Sequence, residues 1–385
     1  MTAIQLVNKL AEIDEGDLTR LSAGRSFYVS APWLRAYEHL RGPDVAYVTH
    51  RDGAGRLDGL LPIYRQRPGT LAPYDAFSGF LCSAGDFRAE DWSPNQVLGQ
   101  SAAYSNEFLI DAATPRGEAE ILEDLLLAAD ERRREWGVPA TSALYLNEAG
   151  ARQFEAARGP AGSFVCDVEC EVDIEWDSWD GYVEYLHSLG RKRSAAARRE
   201  TQVFAEAGYD ISALRLSELL DTSSLLFTKL QRKYGDSTSL EERTHYLRVL
   251  VSEVDDHSHL FVMRSAGEVL GVCLTFLWGD TVYVRQLGLD YEHLADASEY
   301  FNLAIYEPIR YAIEHSYARV HFGRASYDAK MFRGAKARPL LGAAWSDTAA
   351  SPQHQPAFRQ WNDVRRHAAA SGDRSLVLAT FGPST

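Results

Sequence analysis

The sequence lacks the features that mark membrane, secreted and disulfide-rich proteins. No apolar run approaches the roughly 20 residues that span a bilayer, and the N-terminal residues carry neither the basic nor the apolar segment of a signal peptide. The 4 cysteines form no Cys-x-x-Cys pair, which favours buried thiols in a reducing compartment. We therefore expect a cytoplasmic protein with no membrane partner.

Motifs of several catalytic machineries are missing as well. No Gly-x-Ser-x-Gly elbow occurs, which disfavours a serine hydrolase. The closest histidine pair, His257 and His259, follows two aspartates at a predicted turn and has no third ligand nearby in the sequence. We predict neither a metal site nor a bound cofactor.

The chain also lacks the positive charge of a general nucleic-acid binder. It has 385 residues, 40 Lys and Arg against 54 Asp and Glu, and a net charge of −14, which disfavours broad binding to polyanions. A length of this order predicts two domains. Its 45% apolar residues are ample for two packed cores.

One segment departs from this acidic background. The basic segment, residues 191–199, carries five cations with only Glu200 beside them: Arg191, Lys192, Arg193, Arg198 and Arg199. As one helix, it would align 191 with 198 and 192 with 199, leaving Arg193 off that face. Arginine grips two phosphate oxygens at once, so the pattern fits a phosphate-bearing substrate; a solvated helix face is the alternative.

Apolar spacing predicts a mixed α/β order in the first half. The predicted elements are helices over 4–40 with a break near Gly24, a hairpin of 45–50 and 57–64, a strand at 108–111, a helix from Thr114-Pro115 to Gly137 and a strand at 142–147. Residues 69–106 show no period, and either pocket-lining loops or irregular surface would explain them.

The second half repeats this order. Its predicted elements are a hairpin over 262–278, a strand over 280–288, a helix over 296–315 and a strand over 318–322, with a possible last strand at 375–381. Pro308 inside the helix predicts a kink or an early end. Because both halves show the same predicted order of elements, the sequence predicts two copies of one hairpin–strand–helix–strand unit.

This order resembles the GNAT acyltransferase fold, and its doubling resembles the Fem-like branch, most closely the groups described as peptidoglycan biosynthesis/recognition and BioF2-like acetyltransferase. The residues that carry the resemblance, over roughly 27–347, are Trp179, Tyr182, 186–190, the basic segment, 206–209, Tyr234-Gly235, Gly271, Gly288, 296–315, Phe322-Gly323, Lys330 and Arg333-Gly334. The resemblance implies an α/β (α+β) fold of tandem GNAT-like domains, 1–170 and 171–385, with a helical arm at 177–208.

The resemblance also implies transfer of an acyl or aminoacyl group to a small amine, in cell-wall or specialised metabolism. The expected donor is aminoacyl-tRNA, bound transiently and without a stable nucleic-acid complex. The alternatives are an acyl-CoA-dependent N-acyltransferase and a non-catalytic recognition module of the same fold. In the acyl-CoA relatives, backbone N–H groups cradle the pyrophosphate; the equivalent loop, 288–298, carries Asp290, Glu292 and Asp296, whose charges would repel it.

Candidate site residues cluster around the central strand and helix of the second half. Arg285 lies mid-strand among Val284, Gln286 and Leu287, where an unpaired buried charge would be costly, so a substrate carboxylate or an internal acid should meet it. The predicted catalytic residues are Arg285, Asp290 and Tyr300. The predicted substrate-binding residues are Arg191, Lys192, Arg193, Arg198, Tyr283, Tyr306, Lys330 and Arg333. Lys330 and Arg333 are expected on a loop, where plain surface is the alternative.

Overall fold

The chain folds into two compact units. The computed structural model describes residues 3–67, 74–101, 103–159, 163–347, 349 and 351–371. Unit 1 contains the described residues up to Val168 and those from Arg338 onward, and unit 2 contains Glu169–Ala337. The expected second domain, 171–385, thus loses its C-terminal part to unit 1, because the strand around Leu341 pairs with a strand of that unit.

The described residues form 13 strands. They are β1 (Ala3–Val7), β2 (Val45–Arg51), β3 (Leu57–Arg65), β4 (Asn95–Leu98), β5 (Leu109–Ile110), β6 (Ala140–Leu146), β7 (Ser163–Asp173), β8 (Asp210–Leu214), β9 (Ser258–Ser265), β10 (Glu268–Trp278), β11 (Thr281–Leu289), β12 (Arg319–Gly323) and β13 (Lys336–Ser346).

Helices cover much of the remaining chain. They are α1 (Glu15–Ser22), α2 (Ala31–Arg41), α3 (Cys82–Ala84), α4 (Ala89–Trp92), α5 (Glu118–Glu135), α6 (Glu148–Arg158), α7 (Trp179–Ser188), α8 (Arg191–Glu206), α9 (Leu220–Lys233), α10 (Leu240–Val254), α11 (Glu299–Phe301), α12 (Glu307–Glu314), α13 (Tyr327–Phe332) and α14 (Pro356–Ser371). Short 3₁₀ turns lie at Leu10–Glu12, Phe27–Val29, Gly42–Asp44, Leu216–Leu219, Asp255–His257 and Pro352–His354, and π-helical turns at Phe77–Leu81 and Asn302–Tyr306.

Unit 1 is a mixed sheet with strand order β1-β2-β3-β4-β6-β13-β7, and β5 pairs with β3. The β2–β3 hairpin is antiparallel, whereas β4 and β6 run parallel. The apolar stripe of α5, which includes Ile121, Leu125 and Ala129, packs with Val48 and Leu61 of the hairpin in one buried cluster. This burial, rather than helix propensity, holds α5 to the sheet.

Unit 2 repeats the arrangement. The end of β7 begins its sheet, which continues in the order β12-β11-β10-β9-β8. The β9–β10 hairpin is antiparallel, β11 pairs antiparallel with β10, and β12 runs parallel to β11. The helical segment Glu299–Glu314 connects β11 to β12, as a parallel pair requires. The predicted hairpin–strand–helix–strand repeat is therefore present in both units.

Three predictions for unit 1 need correction. Residues 3–7 form β1 instead of a helix, since they extend the sheet by pairing with β2. Part of the patternless stretch 69–106 is β4, the true counterpart of β11, and its four residues are buried although two of them are polar. Helix α5 begins at Glu118 after Gly117 and not at Thr114-Pro115, because residues 114–117 form a hydrogen-bonded turn.

Pro308 does not break its helix. A π-helical turn over Asn302–Tyr306 precedes it, and helical structure continues through Pro308 to Glu314. The proline thus stands near the start of a new helical turn, where its missing N–H costs little. The expected strand at 375–381 lies outside the described residues.

Helix α9 packs against β11 so closely that Gly288 cannot carry a side chain. A Cβ there would lie 2.8 Å from the Leu226 carbonyl carbon and 2.9 Å from the Phe227 amide nitrogen, both backbone atoms that cannot rotate away. We expect Gly288→Ala to lower unfolding stability by about 1–3 kcal/mol through overpacking, measured by urea unfolding with circular dichroism. Gly53→Ala, in an open turn, is the control, and equal stability of the two variants would contradict the packing.

Candidate functional site

The predicted arm at 177–208 consists of two helices, α7 and α8, joined at Gly190. Its φ of +145° lies in a region that favours glycine. Ser178 caps α7 by accepting a hydrogen bond from the Gly181 amide. Along α8 the buried residues are Ser194, Ala197 and Phe204. The sequence-predicted helix over the basic segment is confirmed.

Four of the five cations of α8 are exposed: Arg191, Lys192, Arg198 and Arg199. Within the described part of the chain, no carboxylate lies within 4 Å of their charged groups. Arg193 differs, because it is half-buried and donates to the Met331 carbonyl at 2.7 Å. Helix α8 therefore presents a free cationic face, while Arg193 fastens its first turn to α13.

Glu200, on α8, faces the interior of unit 2. Its Oε1 accepts from Arg333 Nη2 at 2.6 Å, and its Oε2 accepts from Arg333 Nε at 3.1 Å. The Tyr306 hydroxyl donates to Oε2 at 2.5 Å. Side-chain exposure is 15% for Glu200 and 6% for Arg333. We call Glu200, Arg333 and Tyr306 the buried triad; a two-bond arginine–carboxylate pair of this kind is among the stronger polar contacts.

The triad changes the interpretation of two predicted substrate-binding residues. Arg333 also donates to the Ala329 carbonyl at 2.9 Å and lies over the Phe301 ring at 3.2 Å. Burial raises the pKa of Tyr306 far above its usual value, so its hydroxyl stays protonated and serves as a donor. The sequence predicts substrate contacts for Arg333 and Tyr306; the structure shows both committed to holding α8.

Lys330 is buried rather than exposed on a loop. It lies on α13, and its ammonium donates to the backbone carbonyls of Phe322 at 2.9 Å and Arg324 at 2.6 Å. Phe322 lies near the end of β12, and Arg324 directly follows the strand. The loop prediction is wrong, and Lys330 fixes the chain leaving β12 instead of offering its charge to solvent.

Strands β11 and β12 diverge after their third residue pair, Tyr283 with His321. At the next position the register between β11 and β10 shifts: Thr275 pairs with Val284 and Leu274 with Gln286, so Arg285 is an inserted residue. Bulges of this kind redirect side chains and occur beside active sites. Arg285 is half-buried and donates to the Tyr246 hydroxyl at 3.3 Å, so this predicted catalytic residue lies where the sheet opens.

A buried His–Glu pair adjoins this opening and was not predicted. His321 Nε2 lies 2.7 Å from Glu169 Oε2, both side chains are at most 5% exposed, and the Tyr283 ring centre is 5.2 Å from the imidazole. The available signal is the alternation of Asp167, Glu169 and Glu171 along an apolar strand. Acids at alternate positions of a buried strand require internal partners.

Backbone strain concentrates around Tyr300. Asp296 and Ser298, just before α11, and Ala325 and Ser326, just after β12, all have φ between +50° and +65°. Non-glycine residues hold such angles at a cost, most often at functional sites. Burial raises the pKa of Tyr300 despite a hydrogen bond with Ser326. Its hydroxyl is therefore protonated near neutral pH, as an oxyanion-binding donor must be.

Two acidic side chains in and next to the loop at 288–298, Asp290 and Glu299, already make hydrogen bonds within the protein. Glu299 is buried, and its Oε1 accepts from the Ala295 amide and the Tyr209 hydroxyl, each at 2.9 Å. Asp290 accepts from Lys229 at 2.8 Å and contacts His293 at 3.2 Å. Burial acts to raise the pKa of Asp290, but the bonds from Lys229 and His293 outweigh it and lower the pKa.

These contacts bear on catalysis and on metal binding. An ionised, paired Asp290 is a poor proton acceptor, so the geometry does not support its predicted catalytic role. Asp290, Glu292 and His293 could place three ligand atoms within 4.8 Å of one another. Because Lys229 already neutralises Asp290 and the other two are exposed, we assign no metal there.

Two successive units, each with a hairpin, a diverging parallel strand pair and a helix between its strands, define a tandem GNAT-like fold. The family described as FemAB-like, peptidoglycan biosynthesis/recognition, matches residues 104–376. The chain therefore belongs to the FemAB-like family, and the resemblance inferred from the sequence is confirmed, as is the α/β fold class.

Solved structures support the same fold at low identity. FemX superposes with a TM-score of 0.56 and 12% identity, covering 86% of this chain and 95% of FemX. The C-terminal domain of a candidate lysylphosphatidylglycerol synthetase from Agrobacterium fabrum gives 0.54 and 11%, covering 95% and 99%. The L-PGS structure from Bacillus licheniformis gives 0.50 and 11%, covering 86% and 96%. No curated protein matches the sequence.

Among the described residues, no helix is both long enough and apolar enough to cross a bilayer.

The buried triad predicts a large effect for a small change. Glu200→Gln keeps the shape of the side chain but leaves the buried Arg333 guanidinium uncompensated, which should lower unfolding stability by about 3–5 kcal/mol. Thermal unfolding followed by circular dichroism measures it. Glu206→Gln alters an exposed acid of the same helix and should change stability by under about 0.5 kcal/mol. Similar midpoints for the two variants would refute the role of the triad.

Proposed function

We propose that this protein is an acyltransferase that forms an amide bond, moving an aminoacyl group from aminoacyl-tRNA to a small amine. The observation that carries the proposal is the cationic face of α8, which has no carboxylate partner among the described residues of an acidic protein. Membership of the FemAB-like family and the Fem-type fold agree with it. Binding is expected to be transient, since four cations give modest affinity in a protein of this charge.

Helix stability does not explain the placement of these cations. Two of them, Arg191 and Lys192, occupy the first turn of α8, which contains no acidic residue and no side-chain cap. Cations near a helix N-terminus oppose the helix dipole, at roughly 0.3–1 kcal/mol each. A sequence that tolerates this cost at two successive exposed positions of one helix end supports a binding role. Phosphates at the acceptor end of a tRNA carry the opposite charge and are suitable ligands for these cations.

The loop at 288–298 supports the choice of donor. A coenzyme A pyrophosphate bound at the start of α11 would need free amides, but the Glu299 carboxylate occupies the Ala295 amide. Asp296 and Glu292 add exposed negative charge to the same loop. These contacts disfavour acyl-CoA as the donor. We therefore propose that the donor phosphates bind to α8 and not to this loop.

The chemistry is proposed for the opening between β11 and β12. Amide formation needs a donor to the oxyanion of the tetrahedral intermediate, and the protonated hydroxyl of Tyr300 suits that role. Arg285, displaced by the bulge, suits a substrate carboxylate. Tyr283 stands at the last paired position and would line the same opening. Asp290 is not proposed as a catalytic residue, because it already pairs with Lys229 and His293.

Separate incubations with a small-amine acceptor test the donor. The protein should form an amide product with charged tRNA and none with acyl-CoA, and ribonuclease treatment of the charged tRNA should abolish the product. Product formation from acyl-CoA that survives ribonuclease would overturn the choice of donor. Absence of turnover with either donor, across a panel of amine acceptors, would favour a recognition module instead.

Charge reversal on α8 tests the binding face. Arg198→Glu combined with Arg199→Glu should raise the KM for charged tRNA at least about tenfold with little change in kcat, because the contact is made equally in ground and transition states. Stability should change by under about 1 kcal/mol, as for other exposed substitutions. Arg248→Glu, at an exposed position on α10, is the matched control. An unchanged KM in the double variant would show that the cations of α8 form a solvated helix face with no role in binding charged tRNA.

A further inference from the structure

Unit 1 contains a cavity that the proposed reaction does not use. It is open to solvent and has a volume of about 600 Å³, within the size range of small-molecule sites. Its lining comes from the end of α6, the start of β7, the turn at Pro352–His354 and helix α14. The ionisable residues that line it are Arg158, His354, Arg359, Asp363 and Arg366.

Its three arginines have no acidic partner in the described part of the chain. Arg366 donates only to Ser163, to the carbonyl at 3.0 Å and the hydroxyl at 2.8 Å, and Arg359 donates to the Gln353 carbonyl at 2.9 Å. Arg158 is exposed and lies over the Trp345 ring at 5.8 Å. Asp363 also lines the cavity but makes no ion pair within 4 Å with any of the three.

The wall that carries two of these arginines is firmly held. Asn362 is buried, donating to the Ser163 carbonyl at 3.1 Å and accepting from the Val165 amide at 3.0 Å. Arg365 is buried as well and donates to the carbonyls of Val165 and Cys166. Helix α14 is thus fixed to β7 by side chains that point away from solvent. Arg359 and Arg366, seven residues apart, lie on one helix face.

We propose that this cavity binds a small phosphate-bearing anion. Three guanidinium groups from two elements surround one cavity in a protein of net charge −14, where nearby acids could easily have neutralised them. A phosphate offers several oxygens in three dimensions, which matches arginines arriving from different directions. A single carboxylate is planar and satisfies one such fork. The site is independent of the proposed transfer reaction and of α8.

Isothermal titration calorimetry with inorganic pyrophosphate tests the proposal. The wild-type protein should bind pyrophosphate saturably, and Arg158→Glu combined with Arg359→Glu should weaken binding at least about tenfold, since charge-assisted hydrogen bonds are lost. Binding should be unchanged in the α8 double variant at Arg198 and Arg199. Arg152→Glu, on the exposed face of α6, is the matched control and should bind as wild type.

Three results would overturn the proposal. They are absence of saturable binding by the wild type, loss of binding in the α8 variant with retention in the cavity variant, and tighter binding of citrate than of pyrophosphate. The last would indicate a carboxylate site. If the double charge reversal does not fold, as judged by its thermal midpoint, Arg158→Gln alone should still weaken pyrophosphate binding measurably, because Arg158 has no hydrogen-bonding role among the described contacts.

Discussion

The ion pair between Glu200 and Arg333 is the contact on which the proposed donor site depends. It joins α8 to the end of α13 across 133 residues of sequence. Because Arg333 is buried and Glu200 is largely so, removing either charge leaves the other poorly compensated. Tyr306 adds a hydrogen bond from the helical segment between β11 and β12. Glu200, the single acid beside the basic segment, is thereby turned inward, and Arg191, Lys192, Arg198 and Arg199 remain exposed.

This arrangement separates two tasks within one helix. The inner face of α8 carries Glu200 and the apolar residues that pack it, while the outer face carries charge that contributes nothing to packing. The opening between β11 and β12, with its bulge at Arg285 and its strained flanks around Tyr300, lies in the same unit. This arrangement is consistent with a donor whose phosphates bind to the outer face of α8 and whose reacting group lies in the opening between β11 and β12.

Sequence patterns predicted several of the helices and strands, including α8, whose arginines and alanines lie between Gly190 and Gly208, but made no prediction for α6, α9, α10, β7 and β13. They failed for β4, since Asn95 and Gln96 are polar yet buried, and for β1, whose five residues are too few to show a period. The partners of Arg333 and Lys330 could not be predicted, because pairs distant in sequence leave no local pattern. Arginine looks the same in a sequence whether it is buried in an ion pair or free to bind substrate.

Equilibrium binding of uncharged tRNA, followed by fluorescence anisotropy at increasing salt, tests the central claim most directly. If the four exposed cations of α8 contact phosphates, log Kd should rise linearly with log salt concentration with a slope of about 3 to 4, near 0.9 per contact. Reversing the charges at Arg198 and Arg199 should reduce that slope by about two. Absence of binding at low salt, or a slope that the reversal leaves unchanged, would contradict the account.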